Sequence, residues 1–358
     1  MRYLILLLIW LYTPVVLVAQ DTAISQKVFS ATHISFGKDD LSSFYSSFCI
    51  SGDRVFFLAN DYKLYCLDKH TGATEWVFGA RHKTNLPPYS SGQNVFVCQS
   101  VKDENKTVRL DARSGAVIQT LSIAQLRSQP CFRDSIMYTT TITDGGGQVL
   151  AYDFSTNSIA WKKFIAHGID TRPYYHQNKM IVNAEVGNWV EMDYNGQLPD
   201  ADCNNEAKTN NDITQSNCTK HFYFLTHDGQ EIPGEFVEKN LGGNPGKIRY
   251  SDDQTFILTE NKLLILGNNK KIKKDIAIEN VIALKEHGPY DYAEILKIEH
   301  DSIWFVYQNT FAVYDFRKGK TLSAMDLSKW GIHQAMMNEN NLWVISKSDG
   351  QLYGLKLN

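Results

Sequence analysis

Five of the ten histidines in this 358-residue chain, His33, His82, His167, His287 and His333, fall in the connections between strand-like runs. The same connections carry Arg81 and Lys83; Arg127; Asp170, Arg172 and Tyr174; Tyr290, Asp291 and Tyr292; and Trp330. Imidazole, phenol and guanidinium gathered on one rim could work as acid and base on a bound substrate, as in a lyase or hydrolase. The same groups could equally form a docking surface, since Tyr and Arg combine contact area with directed hydrogen bonds. A solvated rim whose histidines bond to backbone is the third reading. No GxSxG, HExxH or EF-hand loop occurs, so hydrolase and zinc-protease chemistry has no motif behind it. Asp144-Gly145-Gly146-Gly147 fits a flexible hairpin loop, with nothing after it that would make a phosphate cradle. Lys270-Lys271-Ile272-Lys273-Lys274 lies on a hairpin turn and reads as a solvated edge rather than an anion site. Asn105-Lys106-Thr107 and Asn217-Cys218-Thr219 match glycosylation acceptors, a pattern that also arises by chance.

The chain has 36 basic and 39 acidic side chains and a formal net charge of −3. Without a basic bias, nucleic acid is excluded as the main partner. At 43% hydrophobic and 21% charged the composition is that of a globular protein. Met1-Arg2, the apolar run Tyr3 to Val18 and the small Ala19 describe a secretory signal peptide over 1–19. No Cys stands near the cleavage point for a lipid anchor, and no later stretch is long and apolar enough to span a bilayer. The expected location is therefore secreted or periplasmic, with 20–358 as one domain. Cys203 and Cys218 bracket a polar insertion at about 196–219 and are expected to form a disulfide, worth roughly 3 kcal/mol for such a closure. Cys49, Cys66, Cys98 and Cys131 sit in strand-like runs without CxxC spacing and read as buried thiols; no metal is expected.

Internal repetition organises the chain. A polar turn precedes a β-rich triplet seven times, at Val55–Phe57, Val95–Val97, Ile136–Tyr138, Met180–Val182, Thr255–Ile257, Ile303–Phe305 and Leu342–Val344. The steps are 40, 41, 44, 75, 48 and 39 residues, and the long one holds the insertion. A second strand follows each triplet and ends in a tight turn: Leu64–Asp68 with Thr71-Gly72, Val108–Asp111 with Ser114-Gly115, and Leu150–Asp153 with Thr156-Asn157. The later copies are Phe222–Leu225 with Asp228-Gly229, Leu263–Leu266 with Asn268-Asn269, Phe311–Asp315 with Lys318-Gly319, and Leu352–Leu355. Gly or Asn supplies the positive φ such turns need. A further strand follows, clearest at Glu75–Phe78 and Ala160–Phe164. Four short strands in about 40–48 residues are the signature of a propeller blade. The fold class is all-β: a seven-bladed β-propeller of four-stranded antiparallel blades. The last unit stops after its third strand, and Lys27–His33 parallels Trp76–His82. Residues 24–30 are therefore expected to complete the last blade and remove the open edge.

The segment 64–78, LeuTyrCysLeuAspLysHisThrGlyAlaThrGluTrpValPhe, resembles the repeat of pyrroloquinoline-quinone-type β-propellers, and 149–164 is a fair copy. The resemblance implies that Asp, Thr-Gly and Trp are structural, the turn setting the hairpin and the Trp packing between blades. It also implies one of two kinds of protein, quinone-dependent dehydrogenases or noncatalytic scaffolds. The dehydrogenases carry an adjacent Cys pair and acidic calcium ligands that have no counterpart here, so pyrroloquinoline quinone with calcium is disfavoured and no catalytic residue is carried over. The expected function is an exported scaffold docking an envelope protein or glycan. Its candidate binding residues are Arg81, His82, Arg127, His167, Arg172, Tyr174, His287, Tyr290, Asp291 and His333. The alternative is a propeller enzyme, either a reduced quinoprotein dehydrogenase or a lyase or hydrolase on the same rim.

Overall fold

The computed structural model describes residues 29–30, 47–59, 61–81, 86–101, 104–143, 146–165, 168–176, 179–185, 188–199, 213, 220–221, 224–225, 231–241, 246–283 and 292–357. They form seven four-stranded antiparallel sheets. We number these blades 1 (47–79), 2 (89–120), 3 (131–164), 4 (174–221), 5 (247–277), 6 (293–326) and 7 (332–356). All seven triplets become second strands, because alternating apolar residues of high β-propensity sit between turns that only a hairpin satisfies. Phe29–Ser30 is the fourth strand of blade 7, pairing antiparallel with Leu352–Lys356 in the register Phe29↔Gly354. Residues 24–28 lie outside the described residues.

Because each blade runs up and down, its connections alternate between two ends. The links between blades share one end with the turns joining second to third strands. The turns joining first to second and third to fourth strands lie at the other. At that second end the carboxylate of Asp68 accepts from the backbone N–H of His70 (3.0 Å) and Thr71 (2.7 Å) and from the Thr71 hydroxyl (2.7 Å). Asp111 repeats this with Arg113 and Ser114, Asp153 with Ser155, and Asp315 with the N–H of Lys318. A register shift follows in the last hairpin of blades 1, 2, 3, 5 and 6, where the bulge absorbs the turn's extra residue.

The conserved geometry of these turns also seats the aromatic wedges. Trp76 of blade 1 lays its indole on the blade 2 turn: a Cβ at Gly115 would stand 2.7 Å from its ring, and its Nε1 donates to Ala112 O (3.2 Å). Trp161 of blade 3 does the same on blade 4, against Gly196 and with Nε1 donating to Tyr194 O (3.0 Å). Between blades the core is a series of apolar slabs. Phe56, Leu64 and Cys66 of blade 1 meet Val95, Val108 and Leu110 of blade 2. Similar slabs join blades 2–3, 3–4, 5–6 and 6–7. Blade 7 closes on blade 1 through Trp343, Ile345 and Leu352 against Phe48, Val55 and Phe57, all fully buried.

Blade 4 differs from the sequence reading. Its third strand is Asn188–Met192, not Phe222–Leu225; its fourth is Lys220–His221. Phe224-Leu225 instead pairs with Glu231-Ile232 in a separate two-stranded ribbon. The turn after Asn188–Met192 is Asp193 to Gly196, one residue shorter than the aspartate turns of blades 1, 2, 3 and 6, with Asp193 accepting from Asn195 and Gln197 N–H. In blade 5 the left-handed residue of the turn is Lys270 (φ 57°), not Asn268 or Asn269; Asn269 Oδ1 instead accepts from Lys271 N–H (3.1 Å). A helix, α1 (Gly234–Leu241), leads into blade 5.

Two outcomes follow from the turns. Gly115→Ala is expected to cost about 2–4 kcal/mol in urea unfolding, because a left-handed alanine and a displaced Trp76 ring add. Gly92→Ala, also left-handed (φ 57°) but with nothing near its Cβ, should cost only about 1–2 kcal/mol; equal losses would remove the ring from the account. Hydrogen bonds from Thr71, Ser114, Ser155 and the Lys318 N–H hold the carboxyls of Asp68, Asp111, Asp153 and Asp315 below the ordinary carboxylate value of 3.8. Folding thus favours the ionised form. The stabilisation is complete above the unfolded value and lost as pH falls through the lower folded values. The urea midpoint should therefore drop in acid, and Asp111→Asn should drop less steeply than the parent.

Candidate functional site

The rim expected from the sequence lies at the end carrying the links between blades. Pro88, Pro130 and Pro173 stand immediately before the inner strands Tyr89–Ser91, Cys131–Arg133 and Tyr174–His176. A fixed φ and no donor suit that entry. Of the candidate residues, Arg81, Arg127, Arg172, Tyr174 and His333 are described; His82, His167, His287, Tyr290 and Asp291 lie outside the described residues, as do Cys203 and Cys218. Arg81 is exposed, with a left-handed backbone (φ 56°) whose N–H bonds to Tyr62 O (2.8 Å). Arg127 is half-buried, its N–H bonded to Thr140 O (2.8 Å).

Arg172 and Tyr174 come together. The guanidinium carbon sits 4.8 Å from the centre of the Tyr174 ring, whose other neighbour is Trp189 at 6.2 Å. Trp189 is buried beside Ile181, so the stack stands on a rigid apolar base. The link from blade 2 to blade 3 and the one from blade 3 to blade 4, which carries Arg172, are both tied by threonines on the second strand of blade 3. Thr141 Oγ1 donates to Gln125 O (2.6 Å), and Thr140 Oγ1 reaches Ser128 Oγ (2.8 Å) and Ile169 O. All three side chains of Thr139–Thr141 are fully buried, and none is left to solvent.

Two other expected rim residues are placed elsewhere. Trp330 is buried, its ring 5.7 Å from Tyr353 in the slab joining blades 6 and 7. His333 lies inside the inner strand Ile332–Asn338, at its bulge, and is half-buried rather than on a loop. Trp330 does stand in the connection between Lys320–Asp326 and Ile332–Asn338, with its ring turned into the core, whereas His333 falls just inside the strand that follows.

The axis holds a group of which the sequence reading named only Tyr292. A cavity of about 400 Å³ is lined by Ile50, Arg249, Tyr292, Glu294, Gln334 and Met336, with neighbours from the same inner strands. Glu294 is 3.6 Å from Lys247 Nζ. Tyr292 donates to Ala335 O (3.1 Å); burial, then the Glu294 charge, push its phenol well above the ordinary range. Gln334 is committed to the ring joint, accepting from Phe48 N–H (3.2 Å) and donating to Phe48 O (3.3 Å). The cavity can therefore offer fixed polar contacts, but Tyr292 is no acid or base near neutrality. The legible signal is the inner position of the strand: once Lys247–Ser251 and Ala293–Glu299 are known to be first strands, Arg249 and Glu294 fall beside the axis.

The four described thiols are chemically quiet. Burial pushes Cys49, Cys66 and Cys98 up to about 12 and Cys131 up to about 11. Among the described residues no three His, Cys, Asp or Glu gather to hold a metal, and no helix is long and apolar enough to cross a membrane.

This architecture is that of a seven-bladed β-propeller. The family described as outer membrane protein assembly factor BamB matches it over residues 36–129 and again over 103–198. Over those residues the repeats are similar to the pyrroloquinoline-quinone-like type. Among solved structures, BamB from Moraxella catarrhalis is 14% identical, covers 87% of this chain and 82% of its own, and has a TM-score of 0.44. The computationally designed Ika8 protein is 12% identical, with 87% and 95% covered and a TM-score of 0.48. The WD40 repeats of RRP9 are 10% identical, with 92% and 97% covered and a TM-score of 0.53, a likeness of fold. No curated protein matches the chain.

Depressed thiolate character has a direct readout. At pH 8 the buried thiols of Cys66 and Cys98 and the half-buried thiols of Cys49 and Cys131 should resist Ellman's reagent in the folded protein and react promptly in denaturant. Fast labelling of Cys98 in the native state would contradict the burial assigned to it.

Proposed function

We propose that this protein is a noncatalytic scaffold of the bacterial cell envelope, exported through the 1–19 signal peptide, that docks a partner protein on the end carrying the links between blades. The observation that carries this reading is the Arg172–Tyr174 stack on Trp189. Arg, Tyr and Trp dominate the energetic centres of protein interfaces, and they do so best when held by a rigid base. The BamB-like repeats support a protein-interaction role in the envelope. Arg81 and Arg127 extend the proposed surface around the same end, with His333 at its inner edge; His82, His167, His287, Tyr290 and Asp291, outside the described residues, are proposed for it from their positions in the sequence alone. A glycan partner would use the same aromatic rings as stacking platforms, and the experiment below separates the two.

A quinone with calcium does not fit the described axial residues. Glu294 is the cavity's lining carboxylate; Lys247 stands 3.6 Å from it, and Arg249 lines the same space. Calcium takes six to eight oxygen ligands with carboxylates among them, and a cationic neighbourhood opposes it. The proposed function therefore has no cofactor step.

The test is capture from envelope extract with the mature protein. Arg172→Ala and Tyr174→Ala should each weaken capture about tenfold to thirtyfold, the loss typical of an interface centre, with circular dichroism unchanged. Protease treatment of the extract should abolish capture and glycosidase treatment should spare it. Equal capture by parent and both variants would refute the assignment.

A further inference from the structure

The lysine run that reads as a solvated edge in the sequence acquires neighbours in the fold. Lys270 and Lys271 lie in the last turn of blade 5, and Lys273 and Lys274 in its outer strand, Ile272–Ala277. Lys274 Nζ donates to Phe316 O, which brings this strand against the corresponding turn of blade 6. That turn and the strand after it supply Arg317, Lys318 and Lys320. Seven cations thus share one corner of the molecule, at the end opposite the proposed docking rim.

The nearby carboxylates do not neutralise it. Asp315 is occupied by the N–H of Lys318 and by its Nζ at 3.4 Å. Asp301 pairs with Arg317 (3.3 Å), and Asp275 with Lys262 (3.0 Å) farther along the blade. Lys271, Lys273 and Lys320 have no ion-pair partner among the described residues. In their midst stand two large aliphatic side chains in water: Ile272, 41% exposed, and Leu322 on the outer strand of blade 6, 46% exposed.

We infer that this corner of blades 5 and 6 docks onto the anionic phospholipid surface of a membrane. Six of its seven cations are lysines, flexible point charges that suit a fluid layer of phosphates better than a fixed array of carboxylates. The apolar groups are aliphatic, able to enter the headgroup boundary, and among the described residues the corner exposes none of the Tyr and Trp that anchor protein interfaces, Tyr314 being buried. Polybasic clusters are drawn to such surfaces additively, and a few apolar contacts add a component that salt does not screen. Docking there would leave the opposite end, with Arg172 and Tyr174, facing away from the bilayer.

Sedimentation of the folded protein with vesicles tests this. Phosphatidylcholine vesicles with roughly a third phosphatidylglycerol should carry the protein down, and pure phosphatidylcholine vesicles should not. Lys271→Gln with Lys273→Gln should weaken the partition roughly 25-fold, about fivefold per cation. Ile272→Ser with Leu322→Ser should weaken it less and remove the binding that survives added salt. Arg172→Ala should bind vesicles like the parent, so failure of the docking rim and failure of this corner are distinguishable. No sedimentation with anionic vesicles, or equal partition of the double Gln variant, overturns the inference. Charge-dependent binding to an acidic polypeptide alone would reassign the corner to a protein partner and overturn it too.

Discussion

A four-stranded blade is apolar on both faces and cannot cover either one itself, so every blade depends on two neighbours, and the first depends on the last. Everything else in this molecule rests on that closing joint. It is built from three kinds of contact at three depths. Phe48, Val55 and Phe57 bury against Trp343, Ile345 and Leu352 in the slab. Near the axis, Gln334 makes both of its amide bonds to the backbone of Phe48. At the turn end the Lys69 ammonium, 3% exposed, reaches Asn338 Oδ1 (3.1 Å), Glu339 (3.2 Å) and Asp53 (3.5 Å). The apolar slab gives the energy, while the amide and the lysine fix the register at which two distant parts of the chain meet. The pairing of Phe29–Ser30 with Leu352–Lys356 adds an outer strand to the same blade.

The sequence carries the architecture because each blade repeats the same local solution. Apolar triplets between polar turns mark all seven second strands, and Asp followed four residues later by Gly or Asn marks the hairpin after the third strand at Asp68, Asp111, Asp153 and Asp315. Blade 4 escaped the pattern for a physical reason. Its turn closes from Asp193 to Gly196, one residue short of that spacing, although Gly196 still takes φ 76° beneath Trp161. A reading keyed to the usual spacing passes over Asn188–Met192 and settles on the next aromatic run, Phe222–Leu225. Trp161 was the missed signal, since an indole of this kind needs a turn glycine on the following blade.

Site residues are less legible because they depend on where connections begin, not on periodicity. Trp330 and His333 look like loop residues in sequence, yet one belongs to a core slab and the other to a bulged strand. Arg172 and Tyr174 are separated by Pro173, whose place before the inner strand sets both side chains on the same link. Polar residues of the inner strands, such as Arg249 and Glu294, fall into alternating patterns indistinguishable from a solvated strand until the ring places them on the axis.

The two ends of the barrel of blades divide structure from variation. One end carries near-identical aspartate turns in blades 1, 2, 3 and 6, each held by hydrogen bonds to its carboxylate, and the turns of blades 2 and 4 sit under a neighbour's indole, so their residues are constrained by folding itself. The other end consists of links of unequal length, including the approach to blade 5. There α1 and Ile232 place Val237, Phe236 and Leu241 against Ile257, Leu264 and Leu266. A slab side is thus covered by a helix, as the slabs elsewhere are covered by the next sheet. A ring held by paired faces tolerates such an insertion so long as the apolar face it meets stays covered. That tolerance lets the 75-residue step fit into a sevenfold plan, the step being divided between the connection from Met192 to Lys220 at the turn end and the approach to blade 5 at the link end.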